Sequence, residues 1–153
     1  MTELAGRCAC GAVTYRMASP PMITHCCHCL DCQRQTGSAF VLNALIEADR
    51  VQVEGEVTVS RMPTDSGQPH DIIRCAQCGT ALWSEYGAGP AVRFMRVGTL
   101  DDPTALPPDV HIYVRSKQPW VRLPEGAKMF AAYYNSAEVW PAESLARRKA
   151  VLG

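Results

Sequence analysis

The residues most able to do chemistry are eight cysteines, and they fall into three clusters with metal-ligand spacing. Cys8 and Cys10 form a C-x-C pair followed by Gly11. Cys27, Cys29 and Cys32 form C-x-C-x-x-C, with Cys26 just ahead and His28 between the first two. Cys75 and Cys78 form a C-x-x-C pair followed by Gly79. Two cysteines so close can present both sulfurs to one tetrahedral ion if the chain turns sharply, and the glycine behind them supplies the dihedral such a turn needs. Two ligands do not close a zinc site. Joining Cys8 and Cys10 to Cys75 and Cys78 gives four thiolates, the usual closed structural form.

The middle cluster has no second pair to close it. Cys27, Cys29 and Cys32 can put three sulfurs on one ion, and three protein ligands with an open fourth position is the pattern of a reactive zinc. A fourth ligand from Cys26, His25 or His28 would close it, and spacing leaves that alternative open. Neighbouring residues of an extended chain point apart, which disfavours Cys26. Three thiolates give a zinc unit a formal charge of about −1, a weak Lewis acid that activates water poorly but holds an incoming thiol as thiolate. Sulfur chemistry is the natural inference. A zinc deaminase would need H-x-E and P-C-x-x-C, whereas Leu30 stands two after His28 and Arg74 precedes Cys75.

Four disulfides are the alternative for an even cysteine count. Against them stand tight clustering and a chain of 153 residues, 47% hydrophobic, that can build its own core. The sequence shows no signal peptide and no run long enough for a membrane helix, so a reducing, cytoplasmic setting is expected. Fifteen basic and fifteen acidic residues cancel, giving no overall charge to drive nucleic-acid or membrane-surface binding.

The elements that must position these residues read as short strands separated by turns. Candidates are 12–17, 40–46, a hairpin over 51–59 turning near Gly55, 70–75, 80–86, 91–99, 110–115 and 128–134. A short helix is expected over 30–35, stopped by Gly37, and a second from Pro141 to about Val151. The expectation is a mainly β, antiparallel, zinc-stapled domain over 1–135, with a helical tail over 136–153 lying at the surface.

The motifs, in order, resemble the glutathione-dependent formaldehyde-activating family, which includes the centromere protein V group. The resemblance rests on 6–13, 27–37 and 74–80, on Gly98 to Asp102, and on His111 to Tyr113 with Pro119 and Trp120. Cys26 is an addition to the pattern. The resemblance implies a β-tent-like fold with two zinc ions: a structural one on Cys8, Cys10, Cys75 and Cys78, and an active one on Cys27, Cys29 and Cys32. It implies condensation of glutathione with formaldehyde, a carbon–sulfur lyase reaction, in which the glutathione sulfur meets the active zinc. Arg34, just after the triad, is placed to meet an anionic thiol. His111 and Trp120 read as core residues. A carrier that binds a thiol without turning it over, and an interaction domain with two structural zincs, are the competing readings.

Overall fold

The computed structural model describes residues 4–87 and 89–153. Ten strands form two sheets. The smaller is antiparallel, with β1 (Leu4–Arg7), β2 (Thr14–Met17) and β5 (Val51–Glu54) in that order. The larger contains β3 (Ile23–Cys27), β4 (Val41–Glu47), β6 (Val57–Met62), β7 (His70–Cys75), β8 (Ala81–Tyr86), β9 (Val92–Arg96) and β10 (Val110–Ile112). Its order is β10-β3-β4-β9-β8-β7-β6, and every pair is antiparallel except β10 with β3. The fold is mainly β, with α1 (Leu30–Thr36), a single turn α2 (Ser136–Val139) and α3 (Ala142–Leu152). Among the described residues no helix is long and apolar enough to cross a membrane.

Side chains alternate along a strand, so register assigns the two faces of the larger sheet. One face carries Ala44, Ile46, Ile73, Trp83 and Met95. These pack with Tyr15, Met17 and Val51 of the smaller sheet into one core. The other face carries Ile23, His25 and Cys27 of β3, facing Leu45, Asn43 and Val41 of β4. Its apolar part packs with Trp140 into a second core, which Leu145 and Val151 of α3 flank.

Three expectations change. The hairpin over 51–59 does not form, because β5 pairs with β2 and β6 pairs with β7. Gly55 lies at φ 108°, and a Cβ there would sit 2.3 Å from the Ala12 carbonyl oxygen, so the chain kinks between sheets where a hairpin would fold back. Residues 128–134 make one bridge, from Met129 to His111, in place of a strand. Trp120 is 68% exposed, its indole N–H donating to the Gln118 side chain at 2.6 Å.

The C-terminal segment is docked through specific contacts. Trp140 is buried, the Ser144 hydroxyl donates to the Met22 carbonyl at 2.6 Å, and Arg147 clasps both Glu47 oxygens at 2.8 and 2.6 Å. Burial opposes the Glu47 charge, but the Arg147 bonds override it and hold the carboxyl below its ordinary range.

Candidate metal centre and its cavity

The sulfurs of Cys8, Cys10, Cys75 and Cys78 lie within 4.8 Å of one another. Cys8 and Cys10 sit in the β1–β2 loop, Cys75 ends β7 and Cys78 lies in the turn that leads to β8, so the group spans the two sheets. Gly11 and Gly79, one behind each pair, both take φ 80°. Backbone N–H groups aim at the sulfurs: Val13 at Cys8 (3.3 Å), Ala12 at Cys10 (3.5 Å), Gln77 and Cys78 at Cys75 (3.3 and 3.4 Å). Amide donors directed at sulfur favour thiolate, the form a metal takes. The donor set fits a tetrahedral zinc.

Cys27, Cys29 and Cys32 form a second group within 4.8 Å, with Cys27 and Cys32 sulfurs 3.4 Å apart. Cys27 ends β3. Cys29 is the N-cap of α1, its sulfur accepting the Cys32 amide at 3.2 Å, and Cys32 follows in the first turn. Hydrogen bonding from Cys27, then from Cys32, holds the Cys29 thiol down to about 3. The same interaction with Cys29 pushes Cys27 up to about 12, and Cys32 is raised by its two neighbours. Negative charge therefore collects at the helix N-terminus, where the backbone dipole supports it. Three converging sulfurs also suit zinc, with one coordination position left for another ligand.

This triad borders a cavity of about 460 Å³ on the face opposite the main core. Across its floor run His25, Asn43 and Arg96, opposed in register on β3, β4 and β9. Arg96 is only 8% exposed. Its Nη1 donates to the Asn43 side-chain oxygen at 2.7 Å, its Nε has no partner, and among the described residues no carboxylate lies in ion-pair reach. Burial depresses its guanidinium. The neighbouring Cys32 and Cys27 sulfurs support its charge but among the described residues no carboxylate pairs with it, and a buried cation so placed on a cavity wall suits an incoming anion. Tyr113 also lines the cavity. It is the one non-glycine among the described residues with positive φ (56°), and burial raises its phenol, keeping it protonated. His25 hydrogen-bonds the Tyr134 hydroxyl, which accepts the Trp140 indole N–H at 2.6 Å. Burial brings His25 down to about 4.

Arg34 lies in the last turn of α1, exposed, and does not line this cavity. The cavity guanidinium is Arg96 instead. Nothing local in the sequence separates it from Arg93 of the same strand. Cys26 and His28 do not join the triad. Alternation turns Cys26 to the other face of β3, where its sulfur lies 3.4 Å from His28 Nε2, itself 3.1 Å from His111 Nδ1. His111 is buried, as the sequence suggested, and burial lowers both imidazoles, His28 to about 4. Nothing in the sequence pointed to their convergence, which depends on the parallel β3–β10 pairing.

A family model described as glutathione-dependent formaldehyde-activating enzyme matches residues 3–116. A Halomonas elongata protein named "Putative glutathione-dependent formaldehyde-activating enzyme" is 30% identical, over 98% of this chain and 96% of its own. A crystal structure of a Rhodobacter sphaeroides protein superposes with a TM-score of 0.49 and 20% identity, over 64% of this chain and 88% of that one. The match across most of the chain, with the relative's similarity end to end, means that this protein belongs to the glutathione-dependent formaldehyde-activating enzyme family.

Proposed function

We propose that this protein is a zinc-dependent enzyme of the carbon–sulfur lyase type, joining a glutathione-like thiol to a small aldehyde such as formaldehyde, or splitting the adduct. The observation that carries this reading is the cavity shared by the Cys27, Cys29 and Cys32 sulfurs and the Arg96 guanidinium, whose Nε has no partner. Its volume of about 460 Å³ suits a small thiol with its aldehyde. Zinc on the triad would supply a thiophilic centre that keeps a thiol deprotonated near neutral pH. Arg96 binds a carboxylate of the thiol substrate, and that fixes how far the sulfur can wander from the triad. The reaction forms one bond, from sulfur to the carbonyl carbon. The carbonyl π electrons move to oxygen, which takes up the proton the thiol has lost. Tyr113, held protonated, donates a hydrogen bond to that oxygen as charge develops on it. A second zinc would be held by Cys8, Cys10, Cys75 and Cys78, where it would tie the two sheets together away from the cavity. Eight unpaired thiols suit a reducing, cytoplasmic setting.

The test is the initial rate of adduct formation from glutathione and formaldehyde, followed by NMR against the uncatalysed rate. The zinc-loaded protein is expected to exceed it and Cys29→Ser to fall back to it with the fold intact by circular dichroism. Glutathione binding without acceleration would replace the enzyme with a carrier.

A further inference from the structure

Cys26, His28 and His111 bring three ligand atoms within 4.8 Å of one another, all three residues buried, with Cys26 and His111 paired in register on β3 and β10 and His28 just beyond the end of β3. Their separations are 3.4 Å from sulfur to His28 Nε2 and 3.1 Å from His28 Nε2 to His111 Nδ1. Metal–sulfur and metal–nitrogen bonds of about 2.3 and 2.0 Å at tetrahedral angles give ligand-to-ligand edges of roughly 3.3–3.6 Å. The cluster is as compact as the triad, whose Cys27 and Cys32 sulfurs lie 3.4 Å apart.

Hydrogen bonding alone accounts poorly for this arrangement. A ring nitrogen has either one proton or one in-plane lone pair, hence one directed bond. His28 Nε2 faces two partners, a sulfur and a second imidazole nitrogen. If it donates to His111, the Cys26 contact is left over; if it accepts, two donors compete for one lone pair. A cation at the centre uses one lone pair from each atom and turns both contacts into edges of a coordination polyhedron.

We propose that Cys26, His28 and His111 form a third metal site, behind the triad, for a single soft d¹⁰ cation, monovalent copper or zinc. One thiolate and two neutral imidazoles balance the charge of monovalent copper within the buried site, whereas zinc leaves one positive charge over. Binding releases the Cys26 thiol proton. The site ties the Cys27–Cys29 loop to β10 from behind, independently of the chemistry in front. It is weaker than the other two, because the His28 Nδ1 has no hydrogen-bond partner, and a missing outer contact of this kind costs about 10–100-fold in affinity. Being buried, it loads as the chain folds.

The full chain is refolded with zinc ions in one arm and with monovalent copper under reductant in the other, then desalted. Metal is counted by elemental analysis, and its ligands are read by X-ray absorption. The four-cysteine group and the triad are all sulfur, so imidazole scattering marks this site. The expected result is imidazole in the metal shell of the wild type in at least one arm. It should be lost, with about one equivalent of metal, in both Cys26→Ser and His111→Gln. The arm that shows it identifies the cation. The cavity-side thiol binding of Cys26→Ser should match wild type, which separates this result from any failure of the proposed reaction. An all-sulfur shell in the wild type in both arms overturns the proposal. So does imidazole scattering that both variants retain, a comparison open to whatever fraction of either variant folds.

Discussion

Arg96 concentrates the energetics of the cavity in one side chain. It is buried, bonded to a neutral amide oxygen, and without a carboxylate partner among the described residues. The free protein bears the desolvation, and a bound anion recovers it, so Arg96→Gln should hurt binding and spare stability. A charged hydrogen-bonded pair contributes about 1.5–3 kcal/mol. Glutathione KM should therefore rise about 10–100-fold, while a thiol lacking a carboxylate, such as cysteamine, is turned over as before. The melting temperature should stay level or rise, since an unpaired buried charge has gone. Equal losses with both thiols would instead assign Arg96 to the triad's own charge. Tyr113 makes a separate claim. Its left-handed backbone directs it over the cavity, and Tyr113→Phe keeps the ring while removing the donor. Stopped assays should show kcat lowered by on the order of 10²-fold with KM nearly unchanged. A change confined to KM would make the ring only a wall.

At the scale of elements, α3 is held to the sheet by the Arg147–Glu47 clasp, with Arg50 also 3.4 Å from Glu47. Arg147→Ala leaves that second cation in place, so the loss should be about 2 kcal/mol, below the usual range for breaking a buried pair. The folded pKa of Glu47 is lowered, so its contribution is fully present above the unfolded value near 4.5 and fades as pH falls through the folded value. Urea unfolding of wild type and Glu47→Gln should show a gap at pH 7 that narrows steadily below about pH 4.5; a constant gap would mean that the clasp is packing and not charge. These elements also show what the sequence could carry. Strand 70–75 and the helix expected over 30–35 were legible because a short apolar-centred run after a loop and the stop at Gly37 are local signals. So was the four-cysteine group, since each pair announces its own geometry. β3 was not, because its Ile23–Cys27 stretch is buried throughout and shows no alternation. Missing β3 hid the parallel pairing of β10, a strand the sequence did show, and with that pairing went the sorting of Cys26 from Cys27. Arg96 and the Glu47 clasp are long-range meetings, and a single sequence carries no signal for who meets whom.

For the whole molecule, the two cysteine groups sit at different places in the architecture and should fail differently. Cys8 and Cys10 belong to the small sheet's β1–β2 loop, Cys75 and Cys78 to the end of β7 and the turn after it in the large one. A metal there closes a contact between chain segments more than sixty residues apart, so its binding energy is also folding energy. The shared core survives its loss, which keeps the effect well below that of a zinc finger, where metal is the whole core. The triad lies within one loop and one helix turn, six residues from Cys27 to Cys32, and closing so short a span stabilises the fold little. Thermal unfolding should separate them. Cys75→Ser is expected to melt on the order of 10 °C below wild type, a few kcal/mol for a chain of this size, and to lose activity as it loosens. Cys29→Ser should melt within a few degrees of wild type while losing all activity. Adding a strong chelator to wild type should cause both losses, with activity going first because three protein thiolates hold a metal less firmly than four. Simultaneous loss, or a Cys29→Ser protein as unstable as Cys75→Ser, would mean that the two groups form one cooperative unit.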